Sequence, residues 1–197
     1  MAYPLIIAGL GNPGPRYDRT RHNAGFLVLE RLRSAAGGSW VHREDRDEAW
    51  IRLEGVDRLL VRPLTYMNRS GGPLAGALAS AQLGASDLLV IVDDVALPFG
   101  RLRIRRQGGP GGHNGLVSVC ESLATQEIPR LRLGVGLPPP EIDLAEFVLE
   151  PLAGEDWDRM AELTKRAEAA VRMICAEGLT AAMNRFHPPE PSNGGGS

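Results

Sequence analysis

The chain has 197 residues, 43% of them hydrophobic and 23% charged, which is the composition of an ordinary globular domain with a core of its own. Its formal net charge of −2 excludes a protein that coats nucleic acid, although a local contact stays compatible because binding depends on the field at the site. No apolar run reaches the roughly 18 to 20 residues that span a bilayer, and no basic segment precedes the apolar stretch at the start, so neither a membrane span nor a signal peptide is expected.

The first part of the chain predicts strands and a helix in alternation. Residues 4–10 form the apolar run of a buried strand that ends in glycines. Helical spacing then covers residues 23–36 and stops at two glycines. Residues 49–53 and 58–62 are expected to pair as strands around the turn Gly55-Val56-Asp57.

The second part of the chain continues this alternation. Ser70 is the expected N-cap of a helix of small residues that carries Pro73 in its first turn and runs to about residue 83. Residues 88–92 are a continuous apolar run before Asp93 and Asp94, which is typical of a central strand whose end presents carboxylates. The remaining predicted elements are an alternating basic strand at 101–106, a helix at 114–124, an alternating strand at 130–135 and a long amphipathic helix at 155–177.

Strands that alternate with helices predict an α/β fold, a single domain with a β-sheet flanked by helices on both faces. The antiparallel strand pair after residue 49 makes the predicted sheet mixed. We expect this domain to cover residues 1–186, because residues 187–197, HPPEPSNGGGS, cannot bury a core and are expected to form a disordered tail. Cys120 and Cys175 lie in apolar helical patterns and are expected to be buried, reduced thiols of a cytoplasmic protein; a disulfide between them is the alternative, which no pattern supports.

Gly9, Gly11 and Gly14 match the dinucleotide-binding pattern G-x-G-x-x-G after a strand. In a nucleotide site the helix begins within this motif, so that its N-terminus meets the pyrophosphate. Here two prolines flank the last glycine, a polar segment follows, and no second strand ending in an acid comes about 20 residues later. The pattern therefore favours a sharp backbone turn that aims Asn12 over a nucleotide site.

His22 lies in a polar loop just ahead of a helix, where a lone histidine is usually a surface residue. Further polar groups follow the ends of predicted strands, where α/β sheets place their ligands. These groups are Asn12, Asn68, Asp93, His113 and Asn114. Asparagines are poor core residues unless they are hydrogen-bonded, so three of them in such loops indicate a pocket that binds a carbonyl group.

This set of residues supports hydrolysis by activated water. A histidine can take a proton from water near neutral pH, and a carboxylate on its other nitrogen fixes the tautomer and stabilises the cation. Neutral amides can hold the oxyanion that forms when a carbonyl is attacked. The nucleophile motif G-x-S-x-G is absent, which argues against a covalent intermediate. A metal site made of Asp93, Asp94 and two histidines is the alternative, although the four histidines are scattered and neither H-E-x-x-H nor C-x-x-C occurs.

Five segments of the chain carry a more specific pattern. They are GLGNPGPRYDRTRHNAGF, LTYMNRSGGPLA, VDDVALPFGRLRIRR, GGHNGL and RLRLGVG. Taken together and in this order, they resemble the bacterial-type peptidyl-tRNA hydrolases over most of the chain, with YDRTRHNAG and GGHNGL the most specific. Ala96 departs from the family's pattern, since relatives commonly carry an aspartate there, and Pro110 and Val117 also depart from it.

The resemblance implies an enzyme that cuts the ester between peptide and tRNA and so recycles tRNA from prematurely released chains. It implies a monomeric α/β fold with a mixed, twisted β-sheet, with no metal, no organic cofactor and no obligate protein partner. His22 would be the general base, Asp93 the carboxylate that supports it, and Asn12 the residue that distinguishes peptidyl from free aminoacyl ends. The positions implied to bind substrate are Asn68 and Asn114 near the ester, Tyr17 and Tyr66 at the 3′-terminal nucleotide, and Met67 and His113 beside them.

The basic strand has a separate expected role. Arg103 and Arg105 alternate on one face of it, and Arg132 lies on another strand of the same type. We expect these three arginines to bind tRNA phosphates without sequence readout, although a basic tract is often only a solvated face.

Two other functions compete with hydrolysis. The retained His22, Asp93 and three asparagines argue against an RNA-binding relative without catalysis. The prolines around the last glycine of the motif and the missing second strand with an acid argue against a nucleotide-dependent oxidoreductase.

Overall fold

The computed structural model describes residues 4–187, which fold around one seven-stranded sheet. The strands are β1 (Ile6–Gly9), β2 (Val41–His42), β3 (Arg46–Leu53), β4 (Val56–Pro63), β5 (Leu88–Asp94), β6 (Leu102–Arg105) and β7 (Arg130–Gly134). The helices are α1 (Ala24–Ala35), α2 (Gly71–Ala81), α3 (Asn114–Ser122), α4 (Leu144–Leu149), α5 (Gly154–Glu177) and α6 (Leu179–Phe186).

The sheet is mixed, with the strand order β2-β3-β4-β1-β5-β7-β6. β1 pairs in parallel with β4 and β5, and β5 pairs in parallel with β7. The outer pairs, β2 with β3, β3 with β4, and β6 with β7, are antiparallel. The predicted mixed α/β sheet is therefore confirmed. Because β1, β4, β5 and β7 run in one direction, their carboxyl ends open on the same edge of the sheet.

Helices cover both faces of the sheet, as predicted. Leu89 and Ile91 of β5 belong to a core cluster that also contains buried residues of α1, α5 and α6. Val90 and Val92 face the other way, into a second cluster with α2 and α3. Every residue of β5 is buried. Since successive side chains of a strand point to opposite faces, the continuous apolar run of β5 supplies both cores.

Two local details differ from the predictions. The hairpin between β3 and β4 turns at Glu54 and Gly55, not at residues 55–57, and both residues have positive φ, 50° and 76°. Such a two-residue turn matches the twist of the strands that it joins. Ser70 does occupy the N-cap position of α2, but its side chain makes no capping bond; its Oγ donates to the Met67 carbonyl at 2.9 Å.

The sequence patterns did not predict α4, α6 or β2. α4 has six residues, too few for a helical period to stand out in the sequence. α6 begins directly after Gly178, whose φ of 89° ends α5, so the pattern indicated a turn there and no further helix. The other predicted strands and helices are present with ends that differ by a few residues.

The glycine motif serves close packing between β1 and α1. A Cβ on Gly9 would overlap the backbone carbonyl of Gly25 in α1, so the helix can approach the strand only because both residues lack a side chain. Gly14 has a φ of 109°, a conformation that favours glycine. α1 begins only at Ala24, so no α-helix N-terminus lies within the motif. The nucleotide-binding alternative therefore lacks the feature on which such sites depend.

The chain end and the cysteines complete the comparison. His187, the first residue of the predicted tail, accepts a hydrogen bond at its Nε2 from the backbone N–H of Ile104 in β6, at 2.8 Å. Residues 188–197, the rest of that tail, lie outside the described residues. Cys120 is half-buried and Cys175 buried, both are unpaired, and burial raises the pKa of Cys175 to about 11. No helix within residues 4–187 combines the length and the apolar character needed to cross a membrane.

Candidate active site

A cavity of about 530 Å³ opens at the edge of the sheet where the parallel strands end. The nine residues predicted as catalytic or substrate-binding all line it: Asn12, Tyr17, His22, Tyr66, Met67, Asn68, Asp93, His113 and Asn114. They come from the loop after β1, the loop after β4, the end of β5 and the start of α3. Loops that are distant in the sequence meet here because parallel strands end on the same side of a sheet.

His22, Asp93 and His113 form the polar centre of the cavity. Asp93 is near the end of β5, His22 lies in the 3-10 turn Arg21–Asn23 just before α1, and His113 is the N-cap of α3. Nδ1 of His22 lies 3.0 Å from each carboxylate oxygen of Asp93, and Nε2 of His113 lies 3.0 Å from Oδ1 of Asp93. One buried carboxylate therefore holds two imidazole rings.

The charge state of Asp93 follows from these neighbours. Burial would raise the pKa of its carboxyl, because removal from water disfavours the anion. The charges of His22 and His113, together with the hydrogen bonds from both rings, outweigh burial and hold the pKa of Asp93 well below its usual value. Asp93 is therefore an anion in neutral solution and can accept hydrogen bonds from both histidines.

The two histidines differ in which nitrogen remains free. His113 uses both: its Nδ1 accepts the Leu116 N–H at 3.2 Å, so its proton lies on Nε2, which donates to Asp93. His22 uses only Nδ1, and its Nε2 has no hydrogen-bond partner within residues 4–187. His22 can therefore take a proton from a water in the cavity, whereas His113 offers the cavity only its ring.

The amide of Asn12 is oriented by the protein around it. Asn12 is 6% exposed, and its Oδ1 accepts the backbone N–H of Met67 at 2.8 Å. Its Nδ2 makes no hydrogen bond to any described residue and lies at the cavity. Because the oxygen is already bonded, Asn12 presents a donor to whatever enters the site.

The other predicted substrate residues lie around the mouth of the cavity. Asn68 and Asn114 are exposed, and their side chains make no hydrogen bond within the described chain. Tyr66 is 56% exposed, whereas Met67 beside it is buried. Tyr17 is half-buried, with the Arg16 guanidinium 4.5 Å from the centre of its ring. Amide donors and aromatic faces thus lie next to the polar centre of the cavity.

The predicted phosphate-binding arginines separate into two groups. Arg103 and Arg105 are exposed on the edge strand β6, as the alternation indicated. Arg132 differs from this expectation, because it lines the cavity, its side chain is only 19% exposed, and its Nε lies 2.9 Å from Oδ2 of Asp94. This difference arises because Arg132 lies on β7, an internal strand with β6 on its outer side. A charge that is buried there needs a partner within the protein.

Sequence reasoning missed two contributors to the site, Asn23 and α4, and it named a third, Asp94, only as a carboxylate at the strand end and in the metal-site alternative. Asn23 is 1% exposed and exchanges two hydrogen bonds with the backbone of Asn12, at 2.8 and 3.0 Å, which shapes the loop that carries Asn12. Asp94 lines the cavity, pairs with Arg132, and accepts the N–H of Ala96 at 3.0 Å. α4 forms one wall with largely apolar residues. The position of Asn23 directly after His22 in the sequence could have indicated its role, whereas the sequence of α4 carried no such indication.

The metal-site alternative named Asp93, Asp94 and two histidines, and the possible ligands that lie together within the described residues are those of the two histidines and Asp93, without Asp94. His22, Asp93 and His113 each offer one ligand atom, and these atoms lie within 4.8 Å of one another. The same atoms make the hydrogen bonds described above, so charge and hydrogen bonding account for the arrangement without an ion.

The fold and the cavity define an α/β enzyme whose site combines a histidine–aspartate pair with amides that can hold a carbonyl group. A sequence model of the family described as peptidyl-tRNA hydrolase matches residues 6–193. The chain therefore belongs to the peptidyl-tRNA hydrolase family, and the resemblance seen in the motifs is confirmed.

Individual relatives agree with this assignment. The peptidyl-tRNA hydrolase of Frankia casuarinae is 43% identical over 185 residues, which cover 93% of this chain and 94% of the relative. That of Thermotoga petrophila is 42% identical over 188 residues, covering 94% and 98%. The crystal structure of peptidyl-tRNA hydrolase from Acinetobacter baumannii has a TM-score of 0.88 at 31% identity and covers 94% of this chain and 95% of that one.

Proposed function

We propose that this protein hydrolyses the ester bond between peptide and tRNA, with His22 as the general base that activates water. The proposal depends on one observation: His22 has one ring nitrogen that is hydrogen-bonded and one that is free of partners among the described residues. Nδ1 is held by the anionic Asp93, and Nε2 is left for a water molecule in the cavity. This is the geometry that general-base catalysis by histidine needs.

The reaction follows from the groups present. Nε2 of His22 takes a proton from water while the water oxygen attacks the ester carbonyl. The resulting imidazolium is stabilised by Asp93, and the oxyanion accepts hydrogen bonds from the amides of Asn68 and Asn114. When the ester bond breaks, the imidazolium returns the proton to the 3′-oxygen of the tRNA. The peptide leaves as a carboxylic acid and the tRNA as an alcohol, so atoms and charges balance.

The other residues that line the cavity bind the substrate in this proposal. Asn12 donates from Nδ2 to a carbonyl of the peptide, and Tyr17 and Tyr66 contact the 3′-terminal nucleotide. Aromatic side chains suit this role because every base has a face on which to stack. Met67 and the ring of His113 complete the pocket.

The tRNA body is assigned to the exposed face of β6. Arg103 and Arg105 project there and would contact phosphates. Arg132, which was expected to share this role, contributes less, because Asp94 already neutralises its charge.

All the proposed catalytic groups come from one chain, and we propose that the protein acts as a cytoplasmic monomer. Light scattering at working concentration would measure one chain per particle.

Hydrolysis of N-acetylated aminoacyl-tRNA by purified protein tests the function directly. The wild type should release free tRNA, and His22→Ala should lower the rate by about 10²- to 10⁴-fold, the usual effect of losing a general base. tRNA affinity and the circular dichroism spectrum should stay as in the wild type. A correctly folded His22→Ala variant with near-normal turnover would remove His22 from the mechanism.

A further inference from the structure

Arg21, the residue before the proposed general base, is a buried arginine with an unusual set of contacts. It is 6% exposed, and its guanidinium lies 4.0 Å from the centre of the Phe147 ring in α4. Nη1 donates to the carbonyl of Phe147 at 3.3 Å and lies 3.5 Å from Glu150, while Nη2 donates to Asp156 of α5 at 3.1 Å. One side chain therefore joins the turn that carries His22 to two other elements.

Backbone contacts join the same segments. Thr20 forms an isolated antiparallel bridge with Pro151, and the N–H of Leu152 donates to the carbonyl of Arg19 at 2.7 Å. The residues on both sides of Arg21 are thus connected to the chain just after α4. The contacts are concentrated at the C-terminal end of the helix.

The N-terminal end of α4 is held much less. Asp143, its N-cap, is exposed, and Leu144 is 46% exposed, whereas Phe147 and Val148 are 7% and 6% exposed. Yet α4 supplies Leu144, Val148 and Leu149 to the wall of the cavity. The position of this wall relative to His22 therefore depends on its C-terminal attachment, in which Arg21 is the central side chain.

We infer that Arg21 is a positioning residue, which fixes the α4 wall of the cavity and the His22 turn relative to each other. An arginine suits this role because its planar guanidinium can stack on an aromatic ring and donate to several acceptors at once. Burial of its charge is offset by Asp156 and by the carbonyl at the end of α4. The inference rests on the proposed function, because it concerns the same cavity and the same base.

Three variants and two measurements test the inference. Arg21→Gln removes the charge, and Arg21→Lys keeps the charge but not the planar group. Asp156→Asn removes the negative charge of the partner on α5, which lies outside the cavity. For each variant we would measure kcat and KM on N-acetylated aminoacyl-tRNA, and hydrogen exchange of the α4 amides.

The expected effects are graded. Arg21→Gln should lower kcat by about tenfold, since small displacements of a catalytic group are costly, and should raise KM as the wall loosens. Exchange of the α4 amides should become about tenfold faster, because local opening is easier there. Arg21→Lys should restore part of both losses. Asp156→Asn should change the same quantities in the same direction by a smaller factor.

Two controls separate positioning from general stability. Arg58→Gln also removes a buried arginine, one that donates to the carbonyls of Pro4 and Cys175 far from the cavity. Arg159→Gln removes the other arginine paired with Asp156 and leaves Arg21 in place. Both controls should lower the melting temperature at most, with kcat, KM and α4 exchange unchanged at a temperature where the protein is folded.

The inference is overturned if Arg21→Gln and Asp156→Asn behave as these controls do, with only the melting temperature lowered. If Arg21→Gln fails to fold, Asp156→Asn decides by itself. A wild type without hydrolytic activity would instead overturn the proposed function. The exchange measurement would still show whether Arg21 holds α4, because it does not depend on turnover.

Discussion

At the scale of single residues, Asn12 is a case in which hydrogen bonding determines what a side chain can recognise. Its oxygen is bonded to the N–H of Met67, so the group left for the substrate is the NH₂ donor. A peptidyl end offers a carbonyl to this donor, whereas a free α-ammonium offers only donors and must also lose its hydration. A site whose polar groups are placed to bond one substrate discriminates strongly, because the wrong substrate leaves those groups unpaired.

The substitution Asn12→Asp tests this selectivity. The carboxylate can still accept the Met67 N–H, but its second oxygen would repel a peptide carbonyl and attract an ammonium. We expect the ratio of hydrolysis rates for N-acetylated and free aminoacyl-tRNA to fall by about tenfold. A factor of ten corresponds to about 1.4 kcal/mol, which lies within the roughly 1 to 3 kcal/mol that an unsatisfied buried polar group costs. Parallel single-turnover assays on the two substrates measure the ratio.

Asn68→Asp is the matched control for this experiment. Asn68 lines the same cavity, but no hydrogen bond to a described residue fixes the orientation of its amide. It should slow both substrates by similar factors. An unchanged ratio in Asn12→Asp would show that Asn12 only shapes the turn between Gly11 and Pro13.

At the scale of elements, β6 shows how an edge strand can present charge. Its residues alternate between buried leucine or isoleucine and exposed arginine, so Arg103 and Arg105 project from one face. Neither has an ion pair with a described residue, and a charge without a protein partner is free to bind phosphate. β7, one strand further in, carries Arg130 and Arg132 at the paired positions, but both are engaged by the protein.

The substitution Arg105→Ala should weaken tRNA binding and lower the dependence of log Kd on log salt by up to about one unit, the release expected for one phosphate contact. All tRNA species should be affected alike, since phosphates carry no sequence information. Salt titrations of binding with two different tRNAs measure both effects. The control is Arg106→Ala, because Arg106 donates to Thr180 of α6 and is already engaged. A changed ranking of tRNAs with an unchanged salt slope would contradict the assignment.

At the scale of the whole molecule, Asp93 links the active site to the stability of the fold. The pKa of its carboxyl is lower in the folded protein than in the unfolded chain. Such a group stabilises the fold above its ordinary pKa of about 4, and the contribution is lost as the pH falls through the lower, folded value.

The variant Asp93→Asn should therefore be less stable than the wild type by about 1 to 3 kcal/mol near neutral pH, the usual range for bonds to a buried charged group. The difference should shrink as the pH falls below about 4, because the unfolded chain then binds a proton at this carboxyl while the folded protein still holds it as an anion. Urea unfolding at a series of pH values measures this. Asp57→Asn, at an exposed pair with Arg52, is the control and should cost less than about 1 kcal/mol at any pH. An equal loss at all pH values would mean that Asp93 acts through its shape and not its charge.

The sequence by itself determined the fold class and most of the site. β5 was predictable because a strand buried on both faces needs an unbroken apolar run, and α5 because 24 residues of helix show a clear period. His22, Asp93, Asn12, Asn68 and Asn114 could be placed in one pocket because polar side chains after parallel strands lie at the same edge of the sheet. Each of these inferences depends on local pattern or on a general rule of topology.

Only the tertiary structure decided how those residues are connected. Sequence cannot show that His113 uses both nitrogens or that the Asn12 amide points its donor outward, because these depend on partners that are distant in the chain. For the same reason Arg132 resembled Arg103 in sequence, although one strand is internal and the other is an edge. α4 and its attachment through Arg21 were hidden because a six-residue helix has too few turns to show a period, and its position comes from contacts with residues more than a hundred positions earlier.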